Sequence, residues 1–164
     1  MTGPQARIRL LLADHDRRTR ALRTALLALL PEGDIEVTAQ AATGPQTLAL
    51  AVAHRPDVVL ADLDLPGLDG IRVTEALRTL LPDTRTVLLT DRPHPTALTR
   101  ALAAGARGYL PKTTPTTDLA ATLRTPPPGR CHTHPDLIAD AAPTDPHPAP
   151  ERRRAGPRNH GNRP

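Results

Sequence analysis

The residues best suited to chemistry stand at the ends of short apolar runs in the sequence. They are Asp14, Asp62, Thr90 and Lys112. If those runs form buried parallel strands, the residues at their carboxyl ends meet along one edge of a sheet. Two carboxylates, a hydroxyl and an ammonium at such an edge suit a phosphoryl group and a hard divalent cation. Asp62 is the predicted nucleophile, because a carboxylate can attack a phosphoryl donor.

Asp14, Lys112 and Thr90 are predicted to assist the transfer of a phosphoryl group to Asp62. Asp14 would help to hold Mg2+, Lys112 would pair with Asp62 and then with the phosphate, and Thr90 would donate a hydrogen bond to a phosphate oxygen. Each residue taken alone has an ordinary explanation, since an Asp after a strand often caps a helix and a Lys is often a solvated charge. Their shared placement at strand ends favours one common site.

Five apolar runs, each followed by a segment with helical spacing, predict the elements that position this site. The predicted strands are 8–13, 35–39, 58–61, 86–89 and 108–110. Leu22, Leu26, Leu29 and Leu30 mark the first helix, Leu48, Ala51 and Val52 mark the second, and the other three are predicted at 71–81, 95–104 and 115–124. Short connections between the pairs predict an α/β fold, a doubly wound parallel sheet of flavodoxin-like (βα)5 type. The alternating second run suits an edge, which gives the strand order 2-1-3-4-5.

Composition narrows the class of protein. The chain has 164 residues, enough for one domain and a tail, and a formal charge of +4 without a basic stripe interleaved with aromatics, so charge alone does not argue for nucleic-acid binding. Cys131 is the only cysteine, so no intrachain disulfide can form. The first residues lack the apolar core of a secretory signal, and no run is long enough to cross a membrane. A cytoplasmic protein is the expectation.

The composition changes after about residue 125. Half of the 20 prolines lie between Pro126 and Pro164, together with Arg152, Arg153 and Arg154, so residues 126–164 are predicted to be a disordered Pro/Arg-rich tail. The Cys131-His132-Thr133-His134 cluster lacks the usual two-pair spacing of a zinc site, which favours a linker over a metal site.

With these residues in this order, the sequence resembles the receiver domain of two-component response regulators. The resemblance is carried in order by the segments 8–14, 56–70, 87–90 and 103–112, and it covers about residues 7–125. It implies that Asp62 is the phosphoacceptor, that the backbone carbonyl of Asp64 joins Asp14 and Asp62 around Mg2+, and that Thr90 and Tyr109 form a switch pair. It also implies a sensor histidine kinase as partner and allows a homodimer. For Tyr109, a lone packing aromatic on an edge strand is an equally good interpretation.

The sequence is most similar to the NarL/LuxR-type branch, whose receivers usually precede a helix-turn-helix domain. Residues 129–130 and 135–139 are similar to the interdomain linker of that branch, but Pro143, Pro146 and Pro148 prevent an apolar-periodic helix from following. The expectation is therefore a response regulator cut off after its receiver by a frameshift or deletion, with no direct DNA binding from this chain.

Two positions depart from the family's pattern. Receivers normally carry two adjacent acids after the first strand, whereas His15 follows Asp14 here and the next acid is Asp16. Imidazole is a poorer Mg2+ ligand than carboxylate, so Mg2+ binding is expected to be weak. Asp91 stands where the family usually has a small residue, and its charge opposes an arriving phosphoryl group.

Three functions remain open from the sequence. The first is a phosphorylatable receiver that signals through protein contacts and is not an enzyme. The second is a pseudo-receiver, a binding module in which His15 and Asp91 impair phosphorylation. The third and most distant is a phosphoaspartate-forming phosphatase, because Asp62-Leu63-Asp64 matches the Asp-x-Asp of haloacid-dehalogenase-type enzymes, although there the motif follows the first strand.

Overall fold

The described part of the chain forms a parallel sheet with helices on both faces. The computed structural model describes residues 6–125 and 132–133. The strands are β1 (Ile8–Ala13), β2 (Ile35–Ala41), β3 (Val58–Asp62), β4 (Arg85–Thr90), β5 (Gly108–Pro111) and β6 (His132–Thr133). The helices are α1 (Arg17–Ala28), α2 (Gly44–His54), α3 (Gly70–Leu80), α4 (Pro95–Ala104) and α5 (Thr116–Arg124). No helix among the described residues is long and apolar enough to span a membrane.

The strand order is β2-β1-β3-β4-β5-β6, and every pair is parallel. The predicted order 2-1-3-4-5 is therefore confirmed. β6 extends it, because His132 and Thr133 pair with Gly108 and Tyr109 of β5. At these two residues the structure differs from the predicted disordered tail. The rest of the tail, with Cys131 and His134 of the cysteine–histidine cluster, lies outside the described residues.

The core has two apolar layers, one on each face of the sheet. Alternate residues of β1 enter different layers: Leu11 and Ala13 lie in one, and Leu10 and Leu12 lie in the other. The first layer also contains residues of α2, α3 and α4, and the second contains residues of α1 and α5. Because side chains alternate along a strand, a continuous apolar run is what a strand covered on both faces requires.

The buried faces of two helices agree with the prediction only in part. Leu22, Leu26 and Leu29 of the first helical segment are 62%, 39% and 78% exposed, whereas Leu27 is buried. Leucines at 26 and 27 make two stripes of helical spacing possible, and the sheet covers the one that contains Leu27. In α2 the predicted Ala51 is buried and the predicted Leu48 packs against the first layer, so only Val52, which is 49% exposed, differs.

Two glycines let the loop after β3 pack closely beside the strand ends. A Cβ atom on Gly44 would lie 2.0 Å from the backbone oxygen of Leu68, and one on Gly70 would lie 2.6 Å from the backbone oxygen of Asp62. Real Cβ atoms do not approach backbone oxygens this closely, so side chains at either position would push the loop away. The glycines therefore help to fix the segment that follows Asp62.

Candidate functional site

Asp14, Asp62 and Lys112 come together at the carboxyl edge of the sheet. β3 ends at Asp62, Asp14 directly follows β1, and Lys112 directly follows β5. The Lys112 Nζ atom lies 2.9 Å from Asp62 Oδ2 and 3.2 Å from Asp14 Oδ2. Both carboxylates are buried, and the Lys112 side chain is 12% exposed. One ammonium thus lies between two buried carboxylates at the ends of different strands and offsets part of their charge.

The proton equilibria of these groups reflect that arrangement. Burial alone would raise the pKa of the Asp62 carboxyl, but hydrogen bonds from Lys112, from the Asp64 backbone N–H and from His15 lower it. Burial likewise opposes the charge of Lys112, yet Asp62 and Asp14 raise the pKa of its ammonium to about 12. Asp62 and Lys112 are therefore ionised at neutral pH, as a carboxylate nucleophile requires.

Backbone donors fix the orientation of both carboxylates. Asp62 Oδ1 accepts a hydrogen bond from the Asp64 N–H at 3.0 Å, and Asp14 Oδ1 accepts one from the Asp16 N–H at 2.9 Å. In each case the donor is two residues further along the chain, in the turn that leaves the strand. Asp62 Oδ2, the oxygen beside Lys112, remains directed into the shared site.

The imidazole of His15 contacts both carboxylates of the site. Its Nδ1 atom lies 3.0 Å from Asp62 Oδ2 and 3.7 Å from Asp14 Oδ1, and its side chain is 54% exposed. Asp16 does not take part, because its carboxylate caps α1 and accepts hydrogen bonds from the Arg18 and Thr19 backbones. Asp16 therefore does not supply the second acid of the site in this conformation.

Asp91 and Thr90 lie beside the same edge. The Asp91 carboxylate is 3.4 Å from Lys112 Nζ and its side chain is 66% exposed, so a third carboxylate shares the lysine. Thr90 is buried, and its Oγ1 accepts a hydrogen bond from the Arg92 N–H at 3.1 Å. Thr90, Asp91 and Asp64 line one open cleft together with Leu63 and Arg92.

Tyr109 lies deeper than the sequence suggested. It is fully buried within the apolar layer formed by α2, α3 and α4, and its hydroxyl oxygen accepts a hydrogen bond from the His94 N–H at 3.3 Å. The prediction of an edge strand is wrong here, because β5 lies between β4 and β6. Tyr109 thus joins the core to the loop between β4 and α4.

Sequence reasoning missed Arg23. This residue of α1 is half-buried, its Nε has no hydrogen-bond partner among the described residues, and burial lowers the pKa of its guanidinium while Asp14, Asp62 and Asp91 act to raise it. It is therefore a second cation in the field of the three carboxylates. Its spacing of four residues from Leu27 places both on one helix face, but the sequence does not indicate that this face is the buried one.

The donor set suits a divalent cation, but it suits Mg2+ only in part. Asp14, His15 and Asp62 each offer one ligand atom, and these atoms all lie within 4.8 Å of one another. Two are the carboxylate oxygens that Mg2+ prefers, and the third is an imidazole nitrogen. Arg23 and Lys112 further reduce the negative charge that attracts a hard ion.

Comparison with known proteins defines the class to which this fold and site belong. The family model of the response regulator receiver domain matches residues 10–124. The chain therefore belongs to the receiver domains of two-component response regulators.

Particular relatives are similar over most of the chain. NarL, a transcriptional regulatory protein of Mycobacterium tuberculosis, is 32% identical over 87% of this chain and 65% of its own length. LiaR of Bacillus subtilis is 36% identical over 71% of this chain and 54% of its own length. The chain thus spans between half and two thirds of these relatives.

Solved structures show the same relationship. The receiver domain of NarL from Mycobacterium tuberculosis has a TM-score of 0.67 at 30% identity, covering 73% of this chain and 99% of that chain. A LuxR-family response regulator from Aurantimonas has a TM-score of 0.74 at 28% identity, covering 84% of this chain and 96% of that chain.

Proposed function

We propose that the chain is a receiver that accepts a phosphoryl group on Asp62 and signals through a changed protein-contact surface. The observation that carries the proposal is the short contact between Asp62 Oδ2 and Lys112 Nζ at the carboxyl end of β3. A carboxylate that is ionised, oriented and placed beside a fixed cation is prepared both to attack phosphorus and to keep the product's charge balanced.

The phosphoryl donor in this proposal is the phosphohistidine of a sensor histidine kinase, because receiver domains of response regulators are phosphorylated by such kinases. An oxygen of Asp62 forms the new P–O bond, the P–N bond of the donor breaks, and the leaving imidazole takes up a proton. Lys112 then pairs with a phosphoryl oxygen. A divalent cation held by Asp14, Asp62 and the backbone carbonyl of Asp64 would neutralise further charge on the phosphoryl oxygens.

The proposed switch joins the site to the loop before α4. To donate to a phosphoryl oxygen, the Thr90 hydroxyl must turn toward Asp62, which disturbs the hydrogen bond that it now accepts from the Arg92 N–H. Because the Tyr109 hydroxyl is bonded to His94 in the same loop, movement of the loop would reach Tyr109. Residues 7–125 form the receiver in this proposal. Homodimer formation and a role in regulating transcription belong to it as well, whereas direct DNA binding does not.

The test is covalent labelling. The full chain is incubated with acetyl phosphate and a divalent cation, and the intact mass is measured. A gain of one phosphoryl group is expected for the natural chain and for Asp83→Asn, which changes an exposed carboxylate outside the site. Asp62→Asn should show no gain. No labelling of the natural chain at high donor concentration, or equal labelling of Asp62→Asn, would contradict the proposal.

A pseudo-receiver is the second candidate, and the contacts of His15 and Asp91 favour it. His15 occupies the place of an acid, and Asp91 adds a carboxylate beside Lys112. His15→Asp separates the two candidates: a large rise in both Mg2+ affinity and labelling means that the natural chain is impaired. Comparable labelling of the two chains favours the working receiver.

A further inference from the structure

The side chain of His15 completes a compact set of three metal-ligating groups. Asp14 and Asp62 supply buried carboxylates, whereas His15 supplies an imidazole that remains about half exposed. An ion could therefore enter from solvent past His15 and still meet two carboxylates that the sheet holds in place. This observation concerns geometry alone and does not depend on phosphorylation.

The separations of the ligand atoms match a small coordination sphere. Metal bonds of about 2.0–2.2 Å place neighbouring ligand atoms about 2.9 Å apart in an octahedron and about 3.3–3.5 Å apart in a tetrahedron. The Nδ1 atom of His15 lies 3.0 Å from Asp62 Oδ2 and 3.7 Å from Asp14 Oδ1. These two separations are close to the values for one shared ion, and the third, between the carboxylate oxygens of Asp14 and Asp62, is within 4.8 Å.

Lys112 does not have to leave Asp14 for this ion to bind. Its ammonium contacts the Oδ2 atom of Asp14, while the imidazole lies nearer to the Oδ1 atom. The competition is confined to Asp62 Oδ2, which both Lys112 and His15 contact. On its outer side Lys112 also contacts the exposed carboxylate of Asp91, so its ammonium keeps two anionic partners when Asp62 Oδ2 binds the ion.

The chemistry of the donors selects the ion. Mg2+ requires near-octahedral oxygen ligands and is attracted chiefly by negative charge, which Lys112 and Arg23 partly cancel. A nitrogen ligand strengthens binding of first-row transition metals, whose affinities for mixed nitrogen and oxygen sites rise across the series. We propose that Asp14, His15 and Asp62 form a site that binds a transition-metal dication such as Zn2+ or Co2+ in preference to Mg2+. This deepens the proposed function, since it names the cation of the same pocket.

The experiment measures metal binding to the full chain directly. Isothermal titration calorimetry gives the affinities for Zn2+, Co2+ and Mg2+, and visible absorption follows the ligand field of Co2+. We expect Zn2+ and Co2+ to bind at least about tenfold more tightly than Mg2+. His15→Ala should weaken Co2+ binding by about tenfold or more and alter its spectrum, whereas His15→Asp should strengthen Mg2+ binding.

Two controls test other side chains that could bind the ion. His54→Asn changes an exposed histidine of α2 and should leave the Co2+ spectrum unchanged. A variant with Cys131→Ser, His132→Ala and His134→Ala removes the cysteine–histidine cluster, and it should keep the tight binding. Mg2+ affinity equal to that of Zn2+ and Co2+ would overturn the proposal, as would Zn2+ and Co2+ binding that is unaffected by His15→Ala.

The outcome is independent of whether the protein is phosphorylated. A chain that binds Co2+ through His15 but gains no phosphoryl mass keeps the metal site and loses the proposed function. A chain labelled on Asp62 with Mg2+ bound more tightly than Co2+ keeps the function and loses the metal site.

Discussion

Replacement of Lys112 by methionine tests the electrostatic account of the site. The variant keeps most of the side-chain volume but removes the ammonium that lies between Asp14 and Asp62. Those carboxylates raise the pKa of the Lys112 ammonium to about 12 from an ordinary value of 10.5. A shift of that size corresponds to about 2 kcal/mol of interaction, which solvent at the outer rim reduces to between about 1 and 2 kcal/mol.

The carboxylates left behind add a further cost. The Asp62 side chain is fully buried, and in the variant it keeps only the donors from Asp64 and His15. Loss of one partner of a buried charge usually costs more than the pair contributed, so a total loss of about 2–3 kcal/mol is expected at pH 7. With a denaturant slope of about 1.5 kcal/mol per molar urea, the unfolding midpoint should fall by about 1.3–2 M.

The pH dependence of this loss has a definite sign. Because the pKa of Asp62 is lowered in the folded protein, the stability that its ionised form contributes is present above about pH 4 and disappears as pH falls through the folded pKa. The difference between the natural chain and Lys112→Met should therefore shrink below about pH 4. Urea titrations followed by far-ultraviolet circular dichroism at pH 7 and pH 3 measure it.

The matched control is Arg100→Met, which removes an exposed cation from α4 and should move the midpoint very little. The double variant Lys112→Met with Asp62→Asn should recover part of the lost stability, since the unpaired carboxylate is gone. Equal midpoints for the natural chain and Lys112→Met would refute the reasoning. A difference that stays constant down to pH 3 would refute it as well.

Three further substitutions address other parts of the molecule. Asp91→Asn removes a carboxylate next to the path of the phosphoryl donor and should speed labelling by about two- to fivefold. A time course of the intact mass measures the rate, and an unchanged or slower rate would contradict this expectation. Gly44→Ala places a methyl group against the Leu68 backbone and should lower the free energy of unfolding, measured by urea titration, by about 2–4 kcal/mol. A loss below about 0.5 kcal/mol would contradict this expectation and show that the loop after β3 moves aside. Asp34→Asn breaks a paired contact with Arg124, and this contact lowers the pKa of Asp34 in the folded protein. About 0.5–1 kcal/mol of stability should be lost at pH 7, and the loss should diminish as pH falls below about 4 and through the folded pKa. A deficit that is as large at pH 3 as at pH 7 would exclude this ion pair as the cause.

The strand ends were predictable because a buried parallel strand leaves a distinct pattern. The apolar runs that end near Asp14, Asp62, Thr90 and Lys112 gave the sheet and its edge, and the strand order followed from the one alternating run. The order of the strands in the sheet decides which strand-end residues lie next to one another. The positions of these residues could therefore be predicted without knowledge of side-chain packing.

Other features depended on packing that the sequence does not reveal. The adjacent leucines 26 and 27 allow either of two faces of α1 to be buried, and only contact with the sheet selects the face with Leu27 and Arg23. β6 has no apolar pattern, so the burial of Tyr109 beside a further strand could not be foreseen. The direction of the His15 side chain depends on the turn after β1, in which Asp16 turns to cap α1.

The aliphatic core has an optical consequence. The sequence has one Tyr, no Trp and no Phe, so Tyr109 alone gives the protein's aromatic absorption and fluorescence. Since its buried hydroxyl meets the His94 backbone, its emission reports one place in the molecule, the loop before α4. The same scarcity leaves the near-ultraviolet almost transparent, so the binding of an absorbing ligand could be followed with little background from the protein.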